Sequence, residues 1–202
     1  MSFLRRGKDR LEDVKQSTLD HFSSIQLAVP TLDDKDFHVY SSSRRVTDSG
    51  RGHTLTGKTW NTETTIRELI SLARSSKSDA PLPHSEADRA EVRRFYTFGE
   101  DLNAHPNLLH GGVIASILDS TLGNAIGVQF PDGALRMFTV QLNITYKKAV
   151  PTPGTVMARS WVTKVESDGR KIWAAGIIEG EGGVVHATAE GMWLKAKDKS
   201  KM

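Results

Sequence analysis

Residues 138–147, FTVQLNITYK, form the stretch of this 202-residue chain that most clearly predicts its fold. Apolar and polar residues alternate strictly along it: Phe138, Val140, Leu142, Ile144 and Tyr146 against Thr139, Gln141, Asn143, Thr145 and Lys147. A period of two is typical of a β-strand with one buried face. The pattern therefore predicts a strand over the whole stretch.

The sequence on either side of this strand predicts one long helix and further strands. Residues 111–127 place apolar side chains three and four apart: Val113, Ile114, Ile117, Leu118, Leu122 and Ile126. These positions run almost all round the helix, which indicates burial on most sides. The later runs 155–165, 171–178 and 184–195 are separated by short glycine-containing turns, as in an antiparallel meander. One long helix against such a meander predicts the α+β class.

The chain divides into three parts by composition. Residues 1–91 are polar and weakly patterned and are interpreted as an N-terminal extension. Residues 92–196 carry the sharp patterning of a folded domain, and residues 197–202 form a basic tail. Within the extension, apolar spacing of three and four predicts short helices over residues 9–28 and 63–75.

The local structure of three short segments near these boundaries can also be predicted. Residues 75–86 contain Pro81 and Pro83 and are predicted to be a linker. Residues 93–98 are predicted to be the first strand of the domain. Residues 101–109 contain a proline and are predicted to be a loop.

The overall composition excludes several classes of protein. An apolar content of 38% is enough to form a core, so the chain is not disordered throughout. The absence of cysteine excludes disulfides, thiolate nucleophiles and cysteine-bound zinc. The net charge of +3 resides in the tail from Lys195 onward, which does not indicate nucleic-acid binding. No run approaches the roughly 20 apolar residues of a membrane span.

The start of the chain bears on location. It is basic, like a mitochondrial presequence, but Asp9, Glu12 and Asp13 follow quickly, and such presequences avoid acids. We therefore expect an intracellular protein, cytoplasmic with a mitochondrial location as the alternative.

The start of the predicted long helix is a candidate site for chemistry. It reads His110-Gly111-Gly112, and the two glycines leave the first amides open to an oxyanion or a polarised carbonyl. Asp119 lies further along among apolar and small residues, where a carboxylate needs a hydrogen-bonding partner or a cleft. A structural and a catalytic role for Asp119 are both open. Eight residues separate Gly111 from Asp119, about 12 Å along a helix. If both act on one carbonyl, they come from two copies of the chain.

Two blocks of sequence carry a resemblance to a known family. Residues 103–112, NAHPNLLHGG, are followed by Asp119, and residues 139–146 read TVQLNITY. Together they resemble the hotdog-fold acyl-CoA thioesterases of the phenylacetate-degradation (PaaI) type, over about residues 92–195. The extension, including residues 59–62, resembles that of fungal members of this superfamily. The resemblance implies a long helix wrapped by a curved antiparallel sheet, with protomers pairing their sheets in a homodimer or homotetramer.

The resemblance also implies a reaction, the hydrolysis of acyl-CoA thioesters to free acid and coenzyme A. In it, the backbone N–H of Gly111 polarises the thioester carbonyl. Asp119 activates water, or attacks the carbonyl directly. Thr139 orients the water, against Asp119 of the facing protomer. The reaction needs no metal and no cofactor.

Four further residues match positions that hold the substrate. Asn103 resembles a loop asparagine that assists at the carbonyl, but one extra residue separates it from His110, so Asn107 is open for the role too. Gly112 offers the second open amide. His110 could donate to the substrate or simply fix the loop.

Two other functions remain open. A hotdog hydratase or dehydratase would use a histidine and an acid placed differently, and this helix offers only Asp119. A non-catalytic binder of acyl-CoA or of a partner protein would not need that carboxylate. A serine hydrolase is disfavoured, because the sequence contains no Gly-x-Ser-x-Gly motif.

Overall fold

The computed structural model describes residues 14–40, 46–77, 82, 85–131, 137–167 and 169–196. The helices are α1 (Gln16–Ser23), α2 (Val29–Leu32) and α3 (Gly111–Gln129), and the strands are β1 (His38–Val39), β2 (Ile66–Arg74), β3 (Glu91–Phe98), β4 (Asn103–His105), β5 (Leu108–Leu109), β6 (Met137–Tyr146), β7 (Gly154–Val165), β8 (Lys171–Glu179) and β9 (Val185–Lys195). The predicted tail 197–202 and the first part of the predicted helix 9–28 lie outside these residues.

Seven strands form one antiparallel sheet in the order β1-β2-β3-β7-β8-β9-β6. Helix α3 lies across one face of this sheet, mainly over β7 and β8. Strands β4 and β5 form a separate hairpin just before α3, where a loop was predicted. One long helix against a large antiparallel sheet confirms the predicted α+β class and hotdog arrangement.

Helix α3 is the centre of the main core. It begins at Gly111 as predicted, continues two residues beyond the predicted end, and buries ten of its 19 residues. A glycine in β8 lets it approach closely, because a Cβ at Gly176 would lie 2.5 Å from a methyl carbon of Leu122. By length and hydropathy α3 could also cross a membrane, although the sequence predicts no membrane span. Its packing against the sheet accounts for the apolar composition.

The predicted helix over residues 63–75 is wrong, because most of this segment is strand β2. It pairs with β3, with Leu69 opposite Tyr96 and Ile70 opposite Phe95. Leu69 packs into the core beneath α3, whereas Ile70 belongs to a second core on the other face of the sheet. A strand buried on both faces loses its alternation, and its apolar residues can then imitate helical spacing.

The second core joins the extension to the sheet. The predicted N-terminal helix is confirmed within the described residues as α1, shorter than expected. Its Phe22 is completely buried against Ile70, Phe95 and Met157. Strand β2 of the extension and strand β3 thus belong to one sheet, and the N-terminal helices cover the face opposite α3.

A buried carboxylate strengthens this junction. Glu91 is 2% exposed and has three guanidinium partners, Arg74 at 3.3 Å, Arg93 at 2.8 Å and Arg159 at 3.1 Å. Arg93 also donates to the hydroxyl of Thr31 on α2. Because buried charges need such partners, losing one of them would be costly, and the network holds strands and extension in one register.

Strand β6 confirms the predicted strand, but only Leu142 and Ile144 of its predicted buried face pack against the core. Phe138, Val140 and Tyr146 are 64%, 56% and 53% exposed. The strand lies at the edge of the sheet, so no neighbouring strand shields it on one side. A bulge between Thr139 and Gln141 also interrupts the strict alternation.

We predict that Phe22→Ala lowers the free energy of unfolding by about 3–5 kcal/mol, the usual cost of truncating a buried phenylalanine. Urea denaturation of the full chain measures this change. Leu55→Ala is the control, because Leu55 is 44% exposed and its loss should stay within about 0.5 kcal/mol. Equal, small effects of both substitutions would show that α1 does not pack on the sheet.

Candidate active site

The candidate catalytic carboxylate is paired with a hydroxyl on the edge strand. Asp119 lies half-buried in the middle of α3, and the Thr139 hydroxyl on β6 donates to its Oδ1 at 2.8 Å. The resemblance placed Thr139 against the facing protomer's carboxylate, but the contact lies within one chain. The prediction is wrong in this respect because β6 runs beside α3 of its own chain, and the side chains meet directly.

The first turn of α3 is capped by a histidine. His110 has extended backbone angles, and its Nδ1 accepts the Gly112 N–H at 2.8 Å. This hydrogen bond satisfies one of the amides that a helix start leaves without a partner. His110 therefore fixes the loop, which is one of its two predicted roles. It also occupies the Gly112 amide, which was predicted to be open to the substrate.

Gly111 keeps the open amide that the sequence predicted. Among the described residues, nothing accepts a hydrogen bond from its N–H. The Tyr146 hydroxyl on β6 donates to the Gly111 carbonyl at 3.0 Å. Sequence reasoning missed Tyr146 because it counted this residue only as part of an apolar face. Its phenol, which commonly finds a polar partner when it packs, was the available signal.

The two candidate asparagines have different surroundings. Asn103 lies on β4, and its Oδ1 accepts the Thr152 hydroxyl at 2.6 Å, so its two amide hydrogens remain available. The neighbouring Leu102 carbonyl accepts the backbone N–H of His110, which holds β4 beside the start of α3. Asn107 has a φ of +60°, a left-handed turn conformation that asparagine tolerates better than most residues. Geometry therefore favours Asn103 for contact with a substrate and Asn107 for the turn.

The site residues form two separate groups on α3. Gly111 lies with Asn103 and Tyr146 at the start of the helix, and Asp119 lies with Thr139 two turns further on. The intervening distance is about 12 Å along the axis. A single thioester carbonyl cannot contact both groups of one chain.

The face of α3 that carries Asp119 is lined by small residues. Gly112, Ser116, Asp119 and Gly123 follow one another at three- and four-residue spacing, and none of them is fully buried. The Ser116 hydroxyl is turned back to the Gly112 carbonyl at 2.9 Å. This leaves a shallow, accessible surface beside the carboxylate.

No metal site accompanies these groups within the part of the chain that the structure describes. There, no three histidine or acidic side chains lie close enough together to hold an ion. Among the described residues, the groups that the site brings together are one carboxylate, one hydroxyl, the Asn103 amide and a helix N-terminus.

Comparison with known proteins gives one family and several relatives. The sequence pattern of the thioesterase superfamily matches residues 106–168, which include Gly111, Asp119 and Thr139. The rat acyl-coenzyme A thioesterase THEM4 is 33% identical over 111 residues, which cover 54% of this chain and 45% of the rat protein. Its mouse counterpart is 37% identical over 81 residues, 40% of this chain and 32% of that protein. The chain thus spans less than half the length of these relatives.

Two further matches extend the comparison. An uncharacterized mitochondrial protein of Candida albicans is 24% identical over 174 residues, 86% of this chain and 71% of that protein. The structure of the Escherichia coli PaaI protein is 18% identical with a TM-score of 0.47, over 53% of this chain and 73% of that one.

We predict that His110→Ala destabilises the protein by about 1 kcal/mol, because α3 loses its N-cap acceptor. His110→Asp should restore most of this loss, since aspartate is among the best N-cap residues. Urea unfolding of the three proteins tests the pair. If the aspartate variant were as unstable as the alanine variant, the His110 ring would be holding something other than the helix start.

Proposed function

We propose that this chain, whose residues 106–168 match the thioesterase superfamily, hydrolyses acyl-CoA thioesters to a free acid and coenzyme A. The observation that carries the proposal is the hydrogen-bonded Asp119–Thr139 pair on an accessible face of α3. The printed names of the rat and mouse relatives, both acyl-coenzyme A thioesterases, support the reaction and the substrate class.

The thioester carbonyl binds at the start of α3 in this mechanism. Its oxygen accepts the unpartnered N–H of Gly111, and the amide of Asn103 can add a second donor. Both donors and the positive end of the helix dipole stabilise the negative charge that develops on the oxygen during attack. One such fixed donor is worth about 3–4 kcal/mol in comparable oxyanion sites.

Asp119 supplies the base. Thr139 holds Oδ1, which leaves Oδ2 directed to a water molecule. Water attacks the carbonyl carbon as Asp119 takes its proton, and the C–S bond then breaks. The proton passes from Asp119 to the departing coenzyme A sulfur, and the acid is released. Direct attack by Asp119, through a mixed anhydride that water then hydrolyses, uses the same geometry. A positioned base of this kind contributes roughly 10²–10⁴-fold.

The active site requires two copies of the chain in this proposal. Gly111 and Asp119 of one copy are too far apart for one carbonyl, so Gly111 of one protomer works with Asp119 of its partner. Strand β6 provides the pairing surface, because it is a ten-residue edge strand with Phe138 and Val140 exposed. Such an edge is a ready template for pairing with another strand. A twofold axis through β6 would join two sheets and build two identical sites.

The location of the protein remains a prediction. The sequence favours the cytoplasm, and the name of the Candida albicans relative supports the mitochondrial alternative.

We predict that Asp119→Asn lowers kcat by about 10²–10⁴-fold, because the amide cannot accept the proton of water. Release of free thiol from short, long and aromatic acyl-CoAs measures both proteins and identifies the preferred acyl group. Asp101→Asn, a neutralised acid in the exposed loop before β4, is the control and should keep full activity. A wild-type protein that binds acyl-CoA without hydrolysing it would instead be the non-catalytic binder.

We predict that Thr139→Val lowers kcat by about tenfold or more, the effect of losing one hydrogen bond to a charged group. Thr145→Val is the matched control, because Thr145 lies on the same strand and lines a groove on the opposite face of the sheet. Steady-state kinetics compare the two variants. Equal activities would remove Thr139 from the mechanism.

We predict that the double substitution Phe138→Lys, Val140→Lys separates the protomers and lowers activity at least 100-fold, because charge on an edge strand opposes strand pairing. Light scattering after size-exclusion chromatography gives the number of chains, and distinguishes a dimer from a tetramer. Leu55→Lys, which charges an exposed leucine elsewhere, should change neither property. An active wild-type monomer would contradict the shared site.

A further inference from the structure

A buried arginine lies beneath α3. Arg94 on β3 is only 1% exposed and points to the helix side of the sheet. Its Nη1 donates to the Ser120 hydroxyl on α3 at 2.6 Å, and its Nε donates to the Ser71 hydroxyl on β2 at 3.1 Å. The guanidinium carbon also lies 5.1 Å from the centre of the Tyr96 ring.

Arg94 has no acidic partner in the described part of the chain, unlike the neighbouring arginine on the same strand. Arg93 points to the other face and binds the buried carboxylate of Glu91. The ion pairs of the described residues include Arg93 but not Arg94. Two neutral hydroxyls and an aromatic face are therefore its compensation for burial.

This arrangement lowers the stability of the protein core. A buried charge without a counter-charge is destabilising, and an apolar side chain of similar length would fill the same space at lower cost. The neighbouring Tyr96 is also completely buried, and burial raises the pKa of its phenol. Polar groups that cost stability inside a core often serve function.

The helix residue that Arg94 contacts, Ser120, indicates what this function is. Ser120 is the residue after Asp119, and the two side chains leave α3 about 100° apart. Asp119 is held by Thr139 from β6, at one edge of the sheet. Ser120 is held by Arg94 from β3, on the other side of the helix. Two directional side-chain contacts on successive residues thus hold the helix from two different directions.

We infer that Arg94 is a positioning residue that sets the rotation of α3, and with it the direction of the Asp119 carboxylate, through its hydrogen bond to Ser120. The inference rests on the proposed function for its effect on catalysis. In this region the helix packs into the core through apolar side chains such as Leu118 and Leu122, and the Ser160 hydroxyl on β7 donates to the Thr121 carbonyl at 2.8 Å. Apolar packing is non-directional, so it holds the helix against the sheet without selecting one rotation. Directional hydrogen bonds supply that selection.

The decisive variant is Arg94→Met, which removes the charge and keeps the length of the side chain. We expect the urea midpoint to stay the same or rise, KM to change less than twofold, and kcat to fall about tenfold. Ser120→Ala should lower kcat in the same direction with KM unchanged. Arg93→Met is the matched control: it should lower the urea midpoint and leave kcat unchanged, because Arg93 serves the Glu91 network.

Two measurements distinguish failure of this inference from failure of the proposed reaction. A folded Arg94→Met protein with wild-type kcat would overturn the positioning role while leaving acyl-CoA hydrolysis intact. If the wild-type protein hydrolyses no acyl-CoA, the proposed function fails, and crystal structures still test the inference. The distance from Thr139 Oγ1 to Asp119 Oδ1 should lengthen from 2.8 Å to beyond 3.5 Å in the Arg94→Met variant. An unchanged distance would overturn the inference.

Discussion

Burial of α3 against the sheet is the interaction on which the other features of this protein depend. The helix is apolar on nearly every side, and the largest core cluster forms around it. Because its contacts are made with β7, β8 and β3, its first turn and its Asp119 face are left towards the edge strand β6. The same packing that stabilises the fold therefore presents an open amide and a carboxylate on one accessible side. Close approach at Gly176 on β8 places Leu122 of the helix directly against the sheet.

Strand β6 contacts this helix and is itself largely exposed. Its Thr139 contacts Asp119, and its Tyr146 contacts the Gly111 carbonyl, so one strand reaches both groups of the candidate site. The strand also lies at one edge of the main sheet. A single element thus carries the proposed catalytic hydroxyl and the proposed surface for a second copy. Under the proposed function, assembly and catalysis become one requirement, because the site is complete only when two edges meet.

The extension serves the other face of the sheet. Its helices cover β2, β3 and β7, and the Glu91 network ties strands and α2 together through three arginines. Charges on this face are paired, whereas Arg94 on the helix face is held by neutral groups alone among the described residues. The contrast is physical: paired charges stabilise the junction, whereas Arg94 lies buried beneath Ser120 with no acidic partner in the described part of the chain.

The sequence by itself determined the long helix from Gly111, the meander after it, and the candidate roles of Gly111 and Asp119. These are local properties, since period, glycine position and a lone carboxylate in an apolar run can be read along the chain. Tertiary structure alone decided that residues 66–74 form a strand, because burial on both faces gives spacing that a helix shares. It also decided that Thr139 meets its own Asp119 and that Arg94 lies under Ser120. Such contacts join residues distant in sequence, and no local pattern records which side chains packing will bring together.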